Sequence, residues 1–196
     1  MQIIGLTGGI ASGKSFVLSY VKNLKIPVHD SDGIVKELYK KPSKKFLLYL
    51  KTNGFENAIK ENKIIKKIIK DKFFFNKSKK EKLEKFIHKE VGFKRKKFLK
   101  KNKKKQVVFL DIPLLFEKNL ASECDFVCTT ISPIKTREKR ALKRKHMTKA
   151  YFKLILKNQV RDVYRRKNSH YLIKTNQTKK QTRKDVDKII KDIIGK

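Results

Sequence analysis

Acidic residues are scarce in this chain: 18 Asp plus Glu stand against 53 Lys plus Arg in 196 residues, a formal net charge of +35. Tryptophan is absent and there are only two cysteines, Cys124 and Cys128, both inside one apolar segment. Two cysteines so placed make no disulfide framework, which excludes a small secreted scaffold and leads us to expect a reducing cytoplasm. No apolar run approaches the roughly 18–20 residues that span a bilayer, and no basic segment followed by a long apolar one opens the chain. Neither a membrane partner nor export is therefore expected. Zinc-ligand spacing, Gly-interleaved aromatics and a recognition-helix pattern are missing too, so the charge by itself does not make a specific nucleic-acid reader. No internal repeat is evident.

What is present is enough apolar material for a core, 39% with 13 Phe. The length suits one domain, or one core carrying an insertion. The cations divide into 45 Lys and 8 Arg. Lys, Ile, Asn and Phe in excess, without Trp, is the composition that an AT-rich genome produces, so the lysines read first as drift on solvated faces. Arg runs against that bias, and six of the eight (Arg137, Arg140, Arg144, Arg161, Arg165, Arg166) fall between 137 and 166. That clustering points to charge with a geometric task.

Along the chain, residues 2–7 read as a buried strand, and Phe16, Val17, Tyr20, Val21 and Leu24 then recur at helical spacing. Residues 26–29 predict a second short strand, closed by Asp30-Ser31-Asp32, with Ser31 or Asp32 suited to cap the next helix. From 42 to 105 the texture becomes Lys-rich and helix-periodic, broken at 52–54 and 76–78, with no convincing strand. This region predicts a helical insertion. Strands return at 106–111 and 125–131, Ser132-Pro133 opens a helix, a helical pattern covers 149–159, and a basic loop follows. Residues 171–173 predict a last strand before a terminal amphipathic helix. Strands alternating with helices imply an α/β fold, a parallel sheet with helices on both faces, binding ligands beyond the strands' carboxyl ends.

Between the first strand and helix, Gly8-Gly9-Ile10-Ala11-Ser12-Gly13-Lys14-Ser15 fits G-x-x-x-x-G-K-[S/T], in the context that makes the motif credible. Glycines let successive N–H groups turn toward one anion, and the helix N-terminus adds positive potential. Lys14 is expected at the β- and γ-phosphates, and Ser15 is the expected Mg²⁺ ligand. A nucleoside triphosphate is the predicted ligand. The second strand brings Asp30 and Asp32 to the same sheet edge, where a carboxylate can accept a proton from an acceptor hydroxyl, assist the metal, or cap the helix. Asp111, at the end of the 106–111 strand, occupies a position where P-loop proteins often place a metal-associated acid.

Three motifs in order carry a resemblance: Gly5-Leu6-Thr7-Gly8-Gly9-Ile10-Ala11-Ser12-Gly13-Lys14-Ser15, His29-Asp30-Ser31-Asp32, and Pro113-Leu114-Leu115-Phe116-Glu117. Through nearly its whole length the chain resembles the dephospho-CoA kinases. The resemblance implies a three-layer P-loop fold with a core over 1–41, 106–134 and 169–196, a helical acceptor-binding insertion over 42–105 and an Arg-rich helical lid over 135–168. It implies ATP with Mg²⁺, dephospho-CoA as acceptor, and transfer to the ribose 3′-hydroxyl as the last step of coenzyme A synthesis. It makes Asp32 the base, with Lys14 and Arg140 neutralising charge. It puts Gly9, Ile10, Ala11, Ser12, Gly13, Lys14, Ser15, Phe16, Arg144 and Asn176 on the nucleotide, and Thr7, Asp32, His88, Leu114 and Phe116 on the acceptor side. Arg140 and Arg144, four apart, are expected on one helix face of the lid, with Gln159 and Arg161 in its return segment. His88 stands where the family has a His-Pro pair, here followed by Lys89; His170 replaces the family's acid in the late strand. A monomer or weak homo-oligomer is expected. The alternatives are another P-loop nucleoside or nucleotide kinase, or a basic nucleic-acid-binding protein.

Overall fold

The computed structural model describes residues 1–69 and 76–195. Residues 70–75, which fall inside the expected 42–105 insertion, and residue 196 lie outside the described residues. The chain divides into two compact units, Met1–Asp30 with Asn102–Lys196, and Ser31–Lys101.

The first unit is built on five strands: β1 (Gln2–Gly8), β2 (Val28–Asp30), β5 (Val107–Asp111), β6 (Phe126–Ile131) and β7 (Tyr171–Lys174). All pairings are parallel, in the order β2-β5-β1-β6-β7. The continuous apolar runs of β5 and β6 suit strands covered on both faces, and every residue of β5 is buried. On one face, Ile4, Leu6, Val107, Phe109, Cys128 and Ile173 pack against Val17, Leu18 and Val21 of α1 (Lys14–Asn23) and Val186, Ile190 and Ile193 of the last helix, α8 (Lys179–Ile194). This is the three-layer α/β arrangement. Cys124 and Cys128 are free thiols, and burial pushes the Cys128 thiol up to about 12. Among the described residues no helix is long and apolar enough to cross a membrane.

The second unit holds α2 (Ser31–Lys40), α3 (Lys44–Thr52), a hairpin of β3 (Ile59–Lys60) with β4 (Lys63–Ile64), and α4 (Lys77–Lys101). Its core is Leu38, Phe46, Leu50, Phe55, Ala58, Ile69 and Leu83. Phe86 stacks on Phe46 and Tyr49 with centroids 5.5 and 4.1 Å apart, and Tyr39 meets Phe46 edge-on. Ser43 caps α3 by accepting from the Phe46 N–H, and Asn76 accepts from the Lys79 N–H at the start of α4.

Three local expectations are corrected. The helical insertion contains a small hairpin, turned through Glu61 and Asn62 at φ 48° and 60°; two-residue strands are too short to show a period. The expected basic loop after 159 contains a helix, α7 (Asp162–Lys167), with acidic Asp162 in its first turn. The helix after Pro133, α5 (Ile134–Leu142), stops before Arg144, so Arg140 and Arg144 do not share a helix face. Continuing it would stack Lys139 on Lys143 and Arg140 on Arg144, like charges at i,i+4. Instead the chain turns, with His146 at φ 63°, into α6 (Lys149–Lys157).

Candidate active site

β1 ends in the Gly-rich loop because of what surrounds it. A Cβ on Gly8 would lie 2.1 Å from Thr130 Oγ1 and 2.9 Å from the Thr130 carbonyl, and one on Gly9 2.3 Å from Arg137 Nη2, so the first would displace backbone and the second the Arg137 guanidinium. Gly13 takes φ 91° as the N-cap of α1, a left-handed conformation open to glycine. Ala11 also sits at φ 57°, where a Cβ costs about 1–2 kcal/mol. Its neighbours hold it there. The Ser12 N–H donates to Gly9 O (3.1 Å), Ser12 Oγ and Thr130 Oγ1 share a hydrogen bond (2.7 Å), and Thr175 Oγ1 donates to Ser12 O (2.6 Å). On the other side of Ala11, the Ile10 N–H donates to Gln159 Oε1 (3.0 Å) and Arg137 Nε donates to Ile10 O (2.8 Å). The first N–H groups of α1 have no intrahelical acceptor, which makes the loop an anion cradle.

The charged groups follow from the strand ends. Lys14, in the first turn of α1, pairs with Asp111 at the end of β5. Asp111 lies in register with Asp30 of β2, which pairs with Lys22 at 3.8 Å near solvent. Ser15 is exposed in the same first turn as Lys14, and Phe16 is half-buried with the Arg183 guanidinium 5.9 Å above its ring. Thr7 is fully buried and donates to Pro113 O at 3.2 Å. Leu114 is exposed, whereas Phe116 is buried edge-on to Tyr164. Arg140 reaches the loop through Thr175, donating to its carbonyl at 2.5 Å and its hydroxyl at 3.1 Å. Arg144 is exposed in the turn after α5, and Asn176 is exposed beside Thr175. Asp32, exposed in the first turn of α2, and His88, exposed on α4, belong to the second unit.

Several further residues shape the site without an individual assignment from the sequence. Thr175 ties Arg140 to Ser12, and Thr130 locks Ser12 from β6. Arg137 and Arg165 are 2% exposed. Asp162 bridges them, 2.6 Å from Arg137 Nη1 and 3.2 Å from Arg165 Nη1, and Glu117 pairs with Arg165 at 2.9 Å while accepting from the Val160 N–H at 3.0 Å. Burial lowers the Arg137 pKa, and the adjacent Asp162 opposes that shift. A small cluster of Ala11, Ala141 and Phe152, with Ile10, Met147 and Leu156, packs α5 and α6 against the loop tip. The available signal was the excess of Arg over the Lys background; two of the six clustered arginines turn out to be buried. His170 is engaged with β6: its Nδ1 accepts from the Val127 N–H at 3.0 Å and its backbone N–H donates to Val127 O.

The geometry describes a Gly-rich cradle with an adjacent lysine, a strand-end carboxylate and an arginine anchored to the loop through Thr175. The family model for dephospho-CoA kinase (CoaE) matches residues 2–181. The chain belongs to the dephospho-CoA kinase family. A curated dephospho-CoA kinase from Fusobacterium nucleatum is 34% identical, with 98% of this chain and 99% of that protein covered. The dephospho-CoA kinase of Bartonella quintana is 33% identical with 99% of each covered. Among solved structures, dephospho-CoA kinase from Campylobacter jejuni superposes with a TM-score of 0.73 at 24% identity, covering 98% of this chain and 97% of that one. Shikimate kinase from Acinetobacter baumannii, in complex with shikimate, gives 0.52 at 17% identity, covering 100% and 94%. These likenesses establish the P-loop kinase fold, and the dephospho-CoA kinase family supplies the frame for its chemistry.

Proposed function

We propose that this kinase transfers the γ-phosphoryl group of ATP to the ribose 3′-hydroxyl of dephospho-CoA, giving ADP and CoA, the last step of coenzyme A synthesis. The observation that carries the chemistry is the loop with Lys14 beside it. Phosphoryl transfer needs positioning and charge neutralisation more than covalent participation. The turned N–H groups from Gly9 to Ser15 grip the phosphates. Lys14, in the first turn of α1 and paired with Asp111, supplies the charge for the β- and γ-phosphate oxygens. Arg140, fixed by Thr175, presents a planar fork suited to phosphate oxygens, which a lysine cannot reproduce.

The oxygens near the loop suit Mg²⁺, a hard cation that takes few protein ligands and keeps several waters. Ser15 offers a hydroxyl in the first turn of α1, and Asp111 and Asp30 offer carboxylates at adjacent strand ends. Ser15 would hold the ion directly, with Asp111 at its water shell. When bound, the ion neutralises charge on the β- and γ-phosphates.

Asp32 follows β2 by two residues and is assigned the 3′-hydroxyl proton or its orientation. We assign the helical residues of 42–105 to the acceptor, with His88, Leu114 and Phe116 on that side. The 135–168 segment, carrying Arg140 and Arg144, is assigned the role of a lid that excludes water; Phe16 and Asn176 are assigned to the nucleotide. The test is Asp32→Asn, expected to lower kcat by about 10²–10⁴-fold with the acceptor KM little changed, the range for loss of a general base. A change confined to the acceptor KM would make Asp32 a binding or capping residue instead.

A further inference from the structure

Ala11 is the strained point of the phosphate loop, left-handed at φ 57° although it carries a Cβ. On its C-terminal side Ser12 is fixed from the sheet, by Thr130 of β6 and by Thr175 just past β7. On its N-terminal side both polar faces of Ile10 are taken by the Arg-rich segment: Gln159 Oε1 accepts from the N–H at 3.0 Å, and Arg137 Nε donates to the carbonyl at 2.8 Å. The Arg137 side chain is 2% exposed, so it does not reach out to substrate. Its Nη2 is buried without a hydrogen-bond partner among the described residues and lies against Gly9, 2.3 Å from where a Cβ would sit. Its Nη1 is anchored at 2.6 Å by Asp162, the carboxylate that also holds Arg165. A fully buried guanidinium aimed at one main-chain carbonyl has a conformational task, because burying it is costly unless its geometry is used.

We infer that Arg137 and Gln159 are positioning residues: together they clamp the Ile10 peptide groups so that Ala11 keeps the left-handed turn required by the phosphate cradle. The clamp lies within the first unit, and it makes the loop's shape depend on the 137–162 segment. Nucleotide affinity, rather than acceptor affinity, is then the quantity it controls. The inference rests on the proposed kinase reading for its relevance, but its test needs no acceptor.

The experiment is titration calorimetry of ADP with Mg²⁺ on the full chain, comparing Arg137→Gln in the wild-type and Ala11→Gly backgrounds. Glycine adopts φ > 0 without penalty, so a loop with Gly at this position needs less clamping. Arg137→Gln alone is expected to weaken ADP binding about tenfold, the scale of one charge-assisted hydrogen bond. In the Ala11→Gly background the same change should weaken it by about threefold or less, the remainder of that scale. Equal losses in the two backgrounds would overturn the inference and make Arg137 a packing residue; so would unchanged affinity. Should Arg137→Gln fail to fold, Gln159→Ala removes the other half of the clamp without disturbing buried charge. It is expected to show the same background dependence, and equal losses there would overturn the inference too. Turnover with dephospho-CoA is measured separately: its absence with ADP binding intact would count against the acceptor assignment, not against the clamp.

Discussion

The best-ordered ion pairs of the two units differ in burial. In the sheet unit, Arg137 and Arg165 are buried, share Asp162, and reach Ile10 O and Glu117 over definite distances. In the helical unit the core mixes aliphatic and aromatic side chains and Arg95 is buried as well, but two ion pairs lie at the surface: Lys45–Glu90 at 2.6 Å and Lys94–Glu37 at 3.1 Å. A planar guanidinium keeps its charge and fills a fork of acceptors when buried, whereas a lysine on a helix face keeps its solvation and is free to drift in sequence. The +35 charge is thus two populations, one with geometry and one with exposure.

The largest effect is expected at Lys14, a lysine whose ion pair with Asp111 is mostly buried. Lys14→Ala is expected to lower turnover by at least about 10³-fold, as for loss of a principal charge in phosphoryl transfer; near-normal turnover would remove the phosphate-loop assignment. Next comes stability. Glu117→Ala leaves Arg165 buried with less compensation and is expected to destabilise by about 3–5 kcal/mol in urea unfolding. Lys45→Ala, removing half of an exposed pair, should change stability by about 0.2–1 kcal/mol, and the difference should shrink in high salt. Similar losses from the two changes would erase the distinction between the units.

Much of this was legible in the sequence. The strand–loop–helix context of residues 2–24 carries both a period and a motif, and the segments 106–111 and 125–131, expected as buried strands, hold β5 and β6. The arginine excess in 137–166 marked the segment, but did not separate its buried members from its exposed ones. Arg140 is anchored at the loop through Thr175, while Arg144 lies past the helix end in solvent. Arg137 and Arg165 look like any cation on a polar helix until the partners 25 and 48 residues away, Asp162 and Glu117, are brought to them. Sequence spacing encodes helix faces, not long-range pairing, so of this network only the i,i+3 pair of Asp162 and Arg165 is local. The hairpin at 59–64 was invisible for a different reason: its two-residue strands are shorter than any recognisable alternation, and Glu61 at φ 48° is not a turn-favouring residue.

The acceptor assignment is decided by ADP release from ATP with dephospho-CoA, adenosine, nucleoside monophosphates and pantetheine supplied in turn. Release confined to dephospho-CoA, with a 3′-phosphorylated product in equal amount, is the predicted result. Comparable release with adenosine or a nucleoside monophosphate would contradict it.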